Sequence, residues 1–438
     1  MKVQKGRWKR VLLATLALFI VAMLVMLARA RIETSASGVH TRLLLPTGGA
    51  AKIGVHIYSG TGDAPALPQF LDGPIVRIDA RQRWSATWFC ENKVERQTGT
   101  GTAGVLDIHC AGKHTRYPIR SLQPIPPSSM PMPAKMLVLS DIEGNARFLD
   151  AALQDLGVAD AGGTWTWGSG HLVIAGDSVD RGRDVFAVLW RLYALSLQAE
   201  ANGGAVHLLL GNHDQYMLRG NVSRAHREHL YALEQMGGQQ QAFAADTVLG
   251  AWLRRQPVIL QAGRVLVTHG GISPAVAASG LSLVQLNDAQ RRYWQGERAQ
   301  SPALDAVLGR TGVSQYRGYF PGMEGSEPRA SVADVQRILA QFSADTIVVA
   351  HTPVERVTPF YDGRVIAIDV NTGTAASEAL LFEAGISRVV PIRTRRVLPE
   401  EGAGTRSRPL RLSDPEDWRT LGSFVRRSYS LSQLPHPY

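Results

Sequence analysis

The longest apolar run in the chain lies near its start, where residues 11–28 have the sequence VLLATLALFIVAMLVMLA, without a charged residue, proline or glycine. A helix of this length spans about 27 Å, close to the thickness of a bilayer core. The apolar region of a cleaved signal peptide is usually shorter, about 7 to 15 residues, although ARA at residues 28–30 is compatible with cleavage. We predict an N-terminal segment, residues 1–32, that contains an uncleaved membrane anchor, with a cleaved signal peptide as the alternative.

Residues 33–120 have a different pattern, in which short segments such as AKIGVHIY, PIVRIDA and VLDIHC alternate apolar and polar residues between turns. Such alternation is typical of β-strands with one buried face. Residues 121–133 contain five prolines, which favour a stiff, extended connection. We therefore predict a small β-rich domain over residues 33–120 and a Pro-rich linker over residues 121–133.

Short, continuous apolar runs characterise residues 134–390: KMLVLS, HLVIAG, VHLLLG, RVLVTHG and TIVVAH, with helical stretches such as ARFLDAALQDLG between some of them. Strands that are apolar on both faces indicate a sheet covered on both sides. Each run ends at or near Asp, Asn or His, and α/β folds place their sites at the carboxyl ends of their strands. We predict an α/β domain over residues 134–390 with its site at that edge and with residues 217–256 as a helical cap beside it.

The chain has 438 residues and a formal net charge of +10, but its basic residues lie mainly at the two ends. Before the apolar run stand Lys2, Lys5, Arg7, Lys9 and Arg10. Only Arg29 and Arg31 follow it closely, so the positive-inside rule places the N-terminus in the cytoplasm. We predict a single-pass protein of the bacterial cytoplasmic membrane, anchored through its N-terminal helix, with the catalytic domain on the periplasmic side.

The second group of basic residues lies in a C-terminal extension, residues 391–438. No module that combines aromatic and basic residues accompanies it, so nucleic-acid binding is not favoured. A solvated basic extension is the preferred interpretation.

The two cysteines, Cys90 and Cys110, fall in the strand-rich segment. In an exported protein this pair could close a loop of about 20 residues, which corresponds to about 3 kcal/mol in the chain-entropy model. Two buried free thiols are the alternative.

Five motifs follow the apolar runs in order: SDIEGN, GDSVDRG, GNHD, THGG and AHTP. Singly, an Asp at a strand end is often a helix cap and a lone His is often structural, but all five together are specific. They resemble the metallophosphoesterase superfamily, within it the phosphoprotein-phosphatase branch marked by GDxxDRG, and most closely the Shewanella-like bacterial protein phosphatases. The resemblance implies a β-sandwich flanked by helices and a dinuclear metal centre, in which two cations clamp the phosphoryl oxygens and activate water near neutral pH.

The resemblance also implies roles for individual residues. The predicted metal ligands are Asp141, Glu143, Asp177, Asn212, His269 and His351. Among them Asp177 bridges the two divalent ions. Mixed oxygen and nitrogen ligation favours Mn or Fe over Zn or Mg.

Four further residues match the family's catalytic positions. His213 corresponds to the general acid that protonates the leaving group, and Asp180 orients its ring. Arg181 and Arg317 correspond to the arginines that bind the phosphoryl group, for which the guanidinium fork is suited. Arg310 is an alternative to Arg317.

Glu143 departs from the family pattern, which has a histidine in the corresponding DxHG motif. Its carboxylate could bind the first metal ion, or turn away and leave that ion weakly held. Two other histidines, His226 and His229 in HREH, have the spacing of a metal pair, but we interpret them as surface residues of a helix.

The function predicted from these observations is metal-dependent hydrolysis of phosphomonoesters, with phosphotyrosine or phosphoserine/threonine on proteins as the substrate. A nucleotide or general small phosphomonoester is the alternative substrate class. A third possibility is a catalytically weak, phosphate-sensing membrane protein. Retention of His213 and Asp180 argues against this possibility, because a pure binder needs no proton donor.

Overall fold

The fold is described from a computed structural model that covers residues 2–35, 38, 40–48, 51–58, 67, 69–101, 103–120, 124–297, 299–323, 329–370, 377–394 and 405–422. The chain divides into two compact units, the first formed by residues 1–62 and 403–437 and the second mainly by residues 63–402.

Helices α1 to α11 are, in chain order, Lys2–Ala28, Ala146–Asp155, Val185–Ala201, Asn212–Leu218, Arg227–Gln235, Gln239–Ala242, Val248–Leu253, Pro274–Ala278, Leu283–Trp294, Pro302–Leu308 and Val332–Gln341. Strands β1 to β10 are Arg31–Ser35, His40–Gly48, Ala51–Tyr58, Leu71–Ile78, Arg83–Cys90, Lys93–Thr100, Ala103–Cys110, Lys113–Arg120, Ser129–Met130 and Lys135–Leu139. Strands β11 to β20 are His171–Ile174, Ala205–Leu208, Ile259–Ala262, Val265–Thr268, Thr346–Val349, Thr358–Phe360, Val365–Ala367, Ser377–Glu383, Ile386–Ile392 and Thr405–Pro409.

The first unit contains α1 and a four-stranded sheet in the order β20-β1-β2-β3. Val11–Ala28 is the one segment of the described chain that is long and apolar enough to cross a membrane, with a mean hydropathy of 2.9. A signal sequence has the same properties, so both alternatives from the sequence remain.

The C-terminal extension is not a solvated tail throughout, in contrast to the sequence prediction. Its residues 405–409 form β20, which pairs antiparallel with β1. Arg408 in this strand forms an ion pair with Asp417, with Nη1 and Oδ2 2.8 Å apart. A part of the basic extension is therefore structural.

The second unit contains a sandwich of two mixed sheets, as predicted. One sheet has the order β12-β11-β10-β18-β19, and the other has the order β16-β17-β15-β14-β13-β9. Apolar side chains of both sheets form one core, to which β10 contributes Val138, β14 contributes Val267 and β15 contributes Val348, all buried. Both faces of these strands are buried, which explains why their sequences are continuously apolar.

The parallel strands point their carboxyl ends to the same edge of the sandwich. In the first sheet β10, β11 and β12 are parallel neighbours, and in the second sheet β14, β15 and β17 are parallel neighbours. The five motifs follow β10, β11, β12, β14 and β15, which explains why residues far apart in the chain meet at this edge.

Residues 33–120 do not form one separate domain, which corrects the predicted boundaries. The strands β1 to β3 belong to the first unit, whereas β4 to β8 belong to the second. In the second unit Trp190 of α3 donates a hydrogen bond from Nε1 to the Pro74 carbonyl oxygen at 3.0 Å, and Tyr193 Oη donates to the Arg120 carbonyl oxygen at 3.1 Å. These contacts attach β4 and β8 to α3 within the second unit.

The Pro-rich segment is also part of the second unit rather than a free linker. Its residues Ser129 and Met130 form β9 and pair in parallel with Gln261 and Ala262 of β13. Arg291 Nη2 donates to the Pro126 carbonyl oxygen at 3.0 Å. The prolines are compatible with this edge position because the strand needs few backbone donors.

The cysteine prediction is confirmed, since Cys90 and Cys110 form a disulfide across a sequence separation of 20 residues. The alternative of two free thiols is excluded. The bond joins the end of β5 to the end of β7, and so ties the three-stranded sheet β4-β5-β6 to the β7-β8 hairpin.

Helices α5 to α7 lie in the segment predicted as a helical cap, residues 217–256, but its two histidines are buried rather than exposed. His229 lies 2.7 Å from the Asp72 carboxylate, measured from Nδ1 to Oδ2, and His226 Nδ1 accepts a hydrogen bond from the backbone N–H of Glu228 at the start of α5. The sequence prediction failed because the partner of His229 lies on β4, 157 residues away. Both histidines therefore have structural partners.

Candidate active site

The backbone of the site has an unusual conformation at the ends of the strands. Left-handed φ angles occur at Asp141 (51°), Glu143 (52°), Asp177 (52°), Asp180 (69°), Arg181 (56°) and His351 (67°). Non-glycine residues adopt this region rarely and at a free-energy cost, and such residues cluster at functional sites. The sharp turns direct these side chains out of the strand ends.

Asp177, at the end of β11, is the central carboxylate. It is 2% exposed, and its Oδ1 accepts a hydrogen bond from the backbone N–H of His213 at 2.9 Å. A Cβ atom on Gly211 would overlap the Asp177 carboxylate, so only glycine permits this approach of the two loops.

His269 follows β14 and has a fixed ring orientation. Its Nδ1 donates to the Ala175 carbonyl oxygen at 2.8 Å, so in the neutral ring Nε2 has the lone pair. Nε2 lies 3.0 Å from Asp177 Oδ2 and 3.1 Å from Asn212 Oδ1, which are also acceptors. A convergence of acceptors with a hydrogen bond to a carbonyl behind the imidazole is typical of a metal ligand.

These residues fit a divalent transition metal. In the part of the chain that the structure describes, Asp177, His269 and His351 are the one group of three ligand side chains whose atoms all lie within 4.8 Å of one another, and all three are buried. Carboxylate, amide and imidazole donors suit Mn, Fe or Zn better than Ca.

The charges of the site also favour a cation. Burial opposes the ionisation of Asp177, but the positive charges of His269 and His213 hold the pKa of its carboxyl well below the ordinary value. Burial likewise opposes the protonation of His269, but the charges of Asp177 and Asp141 raise the pKa of its imidazole well above the usual value. The same negative potential would attract a metal ion, whose binding would release the proton.

His351, which follows β15, is neutral at physiological pH. Burial, and then the positive charges of His269 and Arg317, lower the pKa of its imidazole well below the ordinary value. A neutral imidazole is the form that binds metals.

His213 lies in the first turn of α4 and has the partners that its predicted role requires. Its Nδ1 is 3.0 Å from Asp180 Oδ2, and its Nε2 is 3.9 Å from Asp177 Oδ2. Burial opposes protonation of the ring, but Asp177 and Asp180 outweigh burial and raise the pKa of His213. Asp180 thus orients the imidazole through Nδ1, and Nε2 is directed toward the carboxylate of Asp177.

Asp214, to which the sequence analysis gave no role, supports this arrangement through backbone contacts. Its Oδ2 accepts hydrogen bonds from the backbone N–H groups of Asp177 and Gly211, both at 2.8 Å, and its Oδ1 accepts one from Ser178 at 3.0 Å. Burial, together with the charge of Asp177, raises the pKa of its carboxyl. It fixes the loop after β11 against the start of α4.

The two predicted phosphate-binding arginines both lie at the site. Arg317 Nη1 donates to the His351 carbonyl oxygen at 2.7 Å, and its charge interacts with those of Asp177 and Asp141. The positive charge of Arg181 is close enough to interact with the imidazole of His213. Arg310, the alternative to Arg317, is exposed on the surface.

Glu143 is buried, with a side chain that is 2% exposed, and its Oε1 lies 3.1 Å from Arg181 Nε. It is outside the group formed by Asp177, His269 and His351. Asp141 is buried at the end of β10, close enough for its charge to act on His269.

Two other residues near the site were missed. Asp369 is buried directly after β17, and its charge acts on Arg317. It could have been found from IAID, an apolar run that ends in Asp, since the other five runs end at or near Asp, Asn or His. Tyr216 packs beside His213 with ring centroids 5.4 Å apart. Its position one helical turn after His213 could have indicated this contact.

The mixed α/β sandwich, with buried carboxylate and imidazole side chains beyond the ends of its parallel strands, has the fold and the site of a phosphoesterase. The model of the calcineurin-like phosphoesterase family matches residues 134–355, about half of the chain. The chain belongs to this family, which confirms the resemblance drawn from the motifs.

Two curated relatives match parts of the chain. Shewanella-like protein phosphatase 2 of Arabidopsis thaliana is 30% identical over 89 residues, which cover 20% of this chain and 23% of that protein. Shewanella-like protein phosphatase 1 of Plasmodium berghei (strain Anka) is 21% identical over 245 residues, 54% of this chain and 66% of that protein. The chain thus spans from about a quarter to just under two thirds of the length of these curated relatives.

Among solved structures, the chain is similar to the cold-active protein-tyrosine phosphatase of a psychrophilic Shewanella species. The two share 30% sequence identity with a TM-score of 0.67, over 75% of this chain and 100% of that chain.

Proposed function

We propose that the protein hydrolyses phosphomonoesters with two divalent metal ions, and that phosphotyrosine on proteins is its main substrate class. The observation on which the proposal rests is the position of His213, which is held by Asp180 at 3.0 Å and directed toward the buried Asp177. A proton donor oriented in this way serves bond cleavage, whereas phosphate sensing needs none.

In this proposal the metal ions would be held by Asp141, Asp177, Asn212, His269 and His351. Bound there, they would supply Lewis acidity to the phosphoryl group and to the attacking water. Asp177 would contact both ions. Mn or Fe is the expected metal, since the donors are both oxygen and nitrogen.

The protein's own side chains would position and protonate the ester. Arg181 and Arg317 would bind the phosphoryl oxygens, because each can offer two parallel N–H donors. His213 would then donate its proton from Nε2 to the leaving oxygen, while Asp180 accepts the hydrogen bond from Nδ1 and stabilises the charged imidazole.

Phosphotyrosine is favoured over other esters because the similar Shewanella structure is that of a protein-tyrosine phosphatase. Phosphoserine/threonine proteins and nucleotides are the competing classes. The half-buried ring of Tyr216 beside His213 is compatible with an aromatic leaving group.

We also propose that the chain is anchored in a bacterial cytoplasmic membrane with its catalytic unit outside the cytoplasm. The apolar helix, the basic residues before it and the Cys90–Cys110 disulfide all support this location, because disulfides persist in oxidising compartments.

The proposal is tested with full-length protein in detergent, assayed with Mn, Fe, Zn or Mg on a phosphotyrosine peptide, a phosphoserine peptide and a nucleoside monophosphate. We expect metal-dependent release of phosphate, fastest from the phosphotyrosine peptide and abolished by a chelator. Asp177→Asn should lower turnover at least about 100-fold with loss of bound metal, since this buried carboxylate would hold the metal ions. Hydrolysis of none of the esters with any metal would contradict the proposal, and fastest turnover of the nucleotide would reassign the substrate class.

A further inference from the structure

Glu143 and Arg181 belong to two loops that are joined along their backbones. The Glu143 N–H donates to the Asp177 carbonyl oxygen at 3.0 Å, and the Glu143 carbonyl oxygen accepts from the Gly182 N–H at 2.8 Å. The loop after β10 and the loop after β11 are therefore fixed to each other on both sides of Glu143.

The packing between these loops is as close as two backbones allow. A Cβ atom on Gly182 would overlap the carbonyl oxygens of Glu143 and Gly144. Glu143 and Arg181 both have left-handed φ angles, 52° and 56°, which the surrounding hydrogen bonds must maintain. The Cα atoms of the two residues are thus held in one relative position.

From this position the two side chains form an ion pair. Glu143 Oε1 lies 3.1 Å from Arg181 Nε, and the side chains are 2% and 31% exposed. A buried carboxylate needs a partner to offset its desolvation, and the guanidinium supplies one. The carboxylate next to Nε thus holds the guanidinium by charge at the position that the two loops give it.

We propose that Glu143 is a positioning residue for substrate binding: it holds Arg181 in the orientation that binds the phosphoryl group, and it is not a ligand of the first metal ion. This inference rests on the proposed function, in which Arg181 binds phosphate. The carboxylate that departs from the motif thus supplies a buried anionic partner for Arg181.

The test measures binding of inorganic phosphate to the metal-loaded full-length protein by titration calorimetry, together with bound metal per chain. Glu143→Ala removes the carboxylate, and Glu143→Gln keeps the size of the side chain but removes its charge. Arg181→Ala and the double variant Glu143→Ala/Arg181→Ala complete a cycle. Glu228→Ala is the matched control, because Glu228 pairs with the next arginine of the same loop, Arg183, at 2.7 Å.

We expect Glu143→Ala to weaken phosphate binding about tenfold, a size between those of exposed and buried ion pairs. Glu143→Gln should weaken phosphate binding in the same direction, because it removes the charge that pairs with Arg181, and Glu228→Ala should not change phosphate affinity. In the Arg181→Ala background, Glu143→Ala should have no further effect. Bound metal should be the same in every variant.

Loss of one metal ion in both Glu143→Ala and Glu143→Gln would overturn the inference and assign Glu143 to the metal centre. Tighter phosphate binding in both variants would also overturn it, since Glu143 would then only repel the anion. Additive effects in the double variant would exclude action through Arg181. Phosphate titration does not require turnover, so a wild type that binds phosphate but hydrolyses no ester contradicts the proposed function without preventing this test.

Discussion

At the scale of single residues, His207 makes the stability of the protein depend on pH. It lies on β12, is 7% exposed, and its Nε2 is 3.0 Å from Nδ1 of His171. Burial, and to a smaller degree the charge of His171, lowers the pKa of His207 to about 4 from an ordinary value of 6.5. The folded state therefore binds fewer protons than the unfolded state between these values.

It follows that the contribution of His207 is fully present above about pH 6.5 and is lost as the pH falls toward 4, by about 3 kcal/mol at most. We expect the free energy of unfolding, measured with urea at pH 7.5 and 5, to fall with pH in the wild type and to fall less in His207→Gln. The exposed His109→Gln is the control and should resemble the wild type. Equal pH dependence in His207→Gln and the wild type would show that His207 does not titrate in this way.

The positions of the candidates in the five motifs could be predicted because each motif follows an apolar strand, whereas Arg317 came from the resemblance alone. The role of Glu143 could not be predicted in the same way. Its departure from the motif is visible in the sequence, but its contact with Arg181 depends on how two separate loops pack.

At the scale of elements, the strands of the catalytic unit were predictable because a continuously apolar segment has few alternatives to a buried strand. The assignment of β1 to β8 to one domain was wrong for a physical reason. Alternation shows that a strand has one buried face, but not which strand lies beside it. β1 pairs with β2 on one side and, on the other, with β20, about 370 positions later in the chain.

The disulfide shows which long-range contact the sequence could indicate. Two cysteines in adjacent strand-like segments of a chain that is expected to be exported favour a disulfide, so the pair could be predicted from the proposed compartment and the spacing. The contact between His229 and Asp72 had no such signal, because a buried histidine–carboxylate pair has no spacing rule.

At the scale of the whole molecule, the proposed topology can be tested with reporter fusions. Since five basic residues precede Val11–Ala28, alkaline phosphatase fused after residue 40 should be exported and active in a bacterial host. A cytoplasmic reporter at the same junction should be inactive. The opposite result, with an active cytoplasmic reporter and an inactive phosphatase fusion, would place the catalytic unit in the cytoplasm.

The central claim is that the site cleaves a phosphomonoester with His213 as the proton donor, and the most direct test is the leaving-group dependence of His213→Asn. General acid catalysis contributes about 10² to 10⁴-fold. We predict a loss of this size for an alkyl phosphate, a much smaller loss for p-nitrophenyl phosphate, whose leaving group needs little protonation, and unchanged bound metal. Equal losses on both esters with the metal retained would contradict the account.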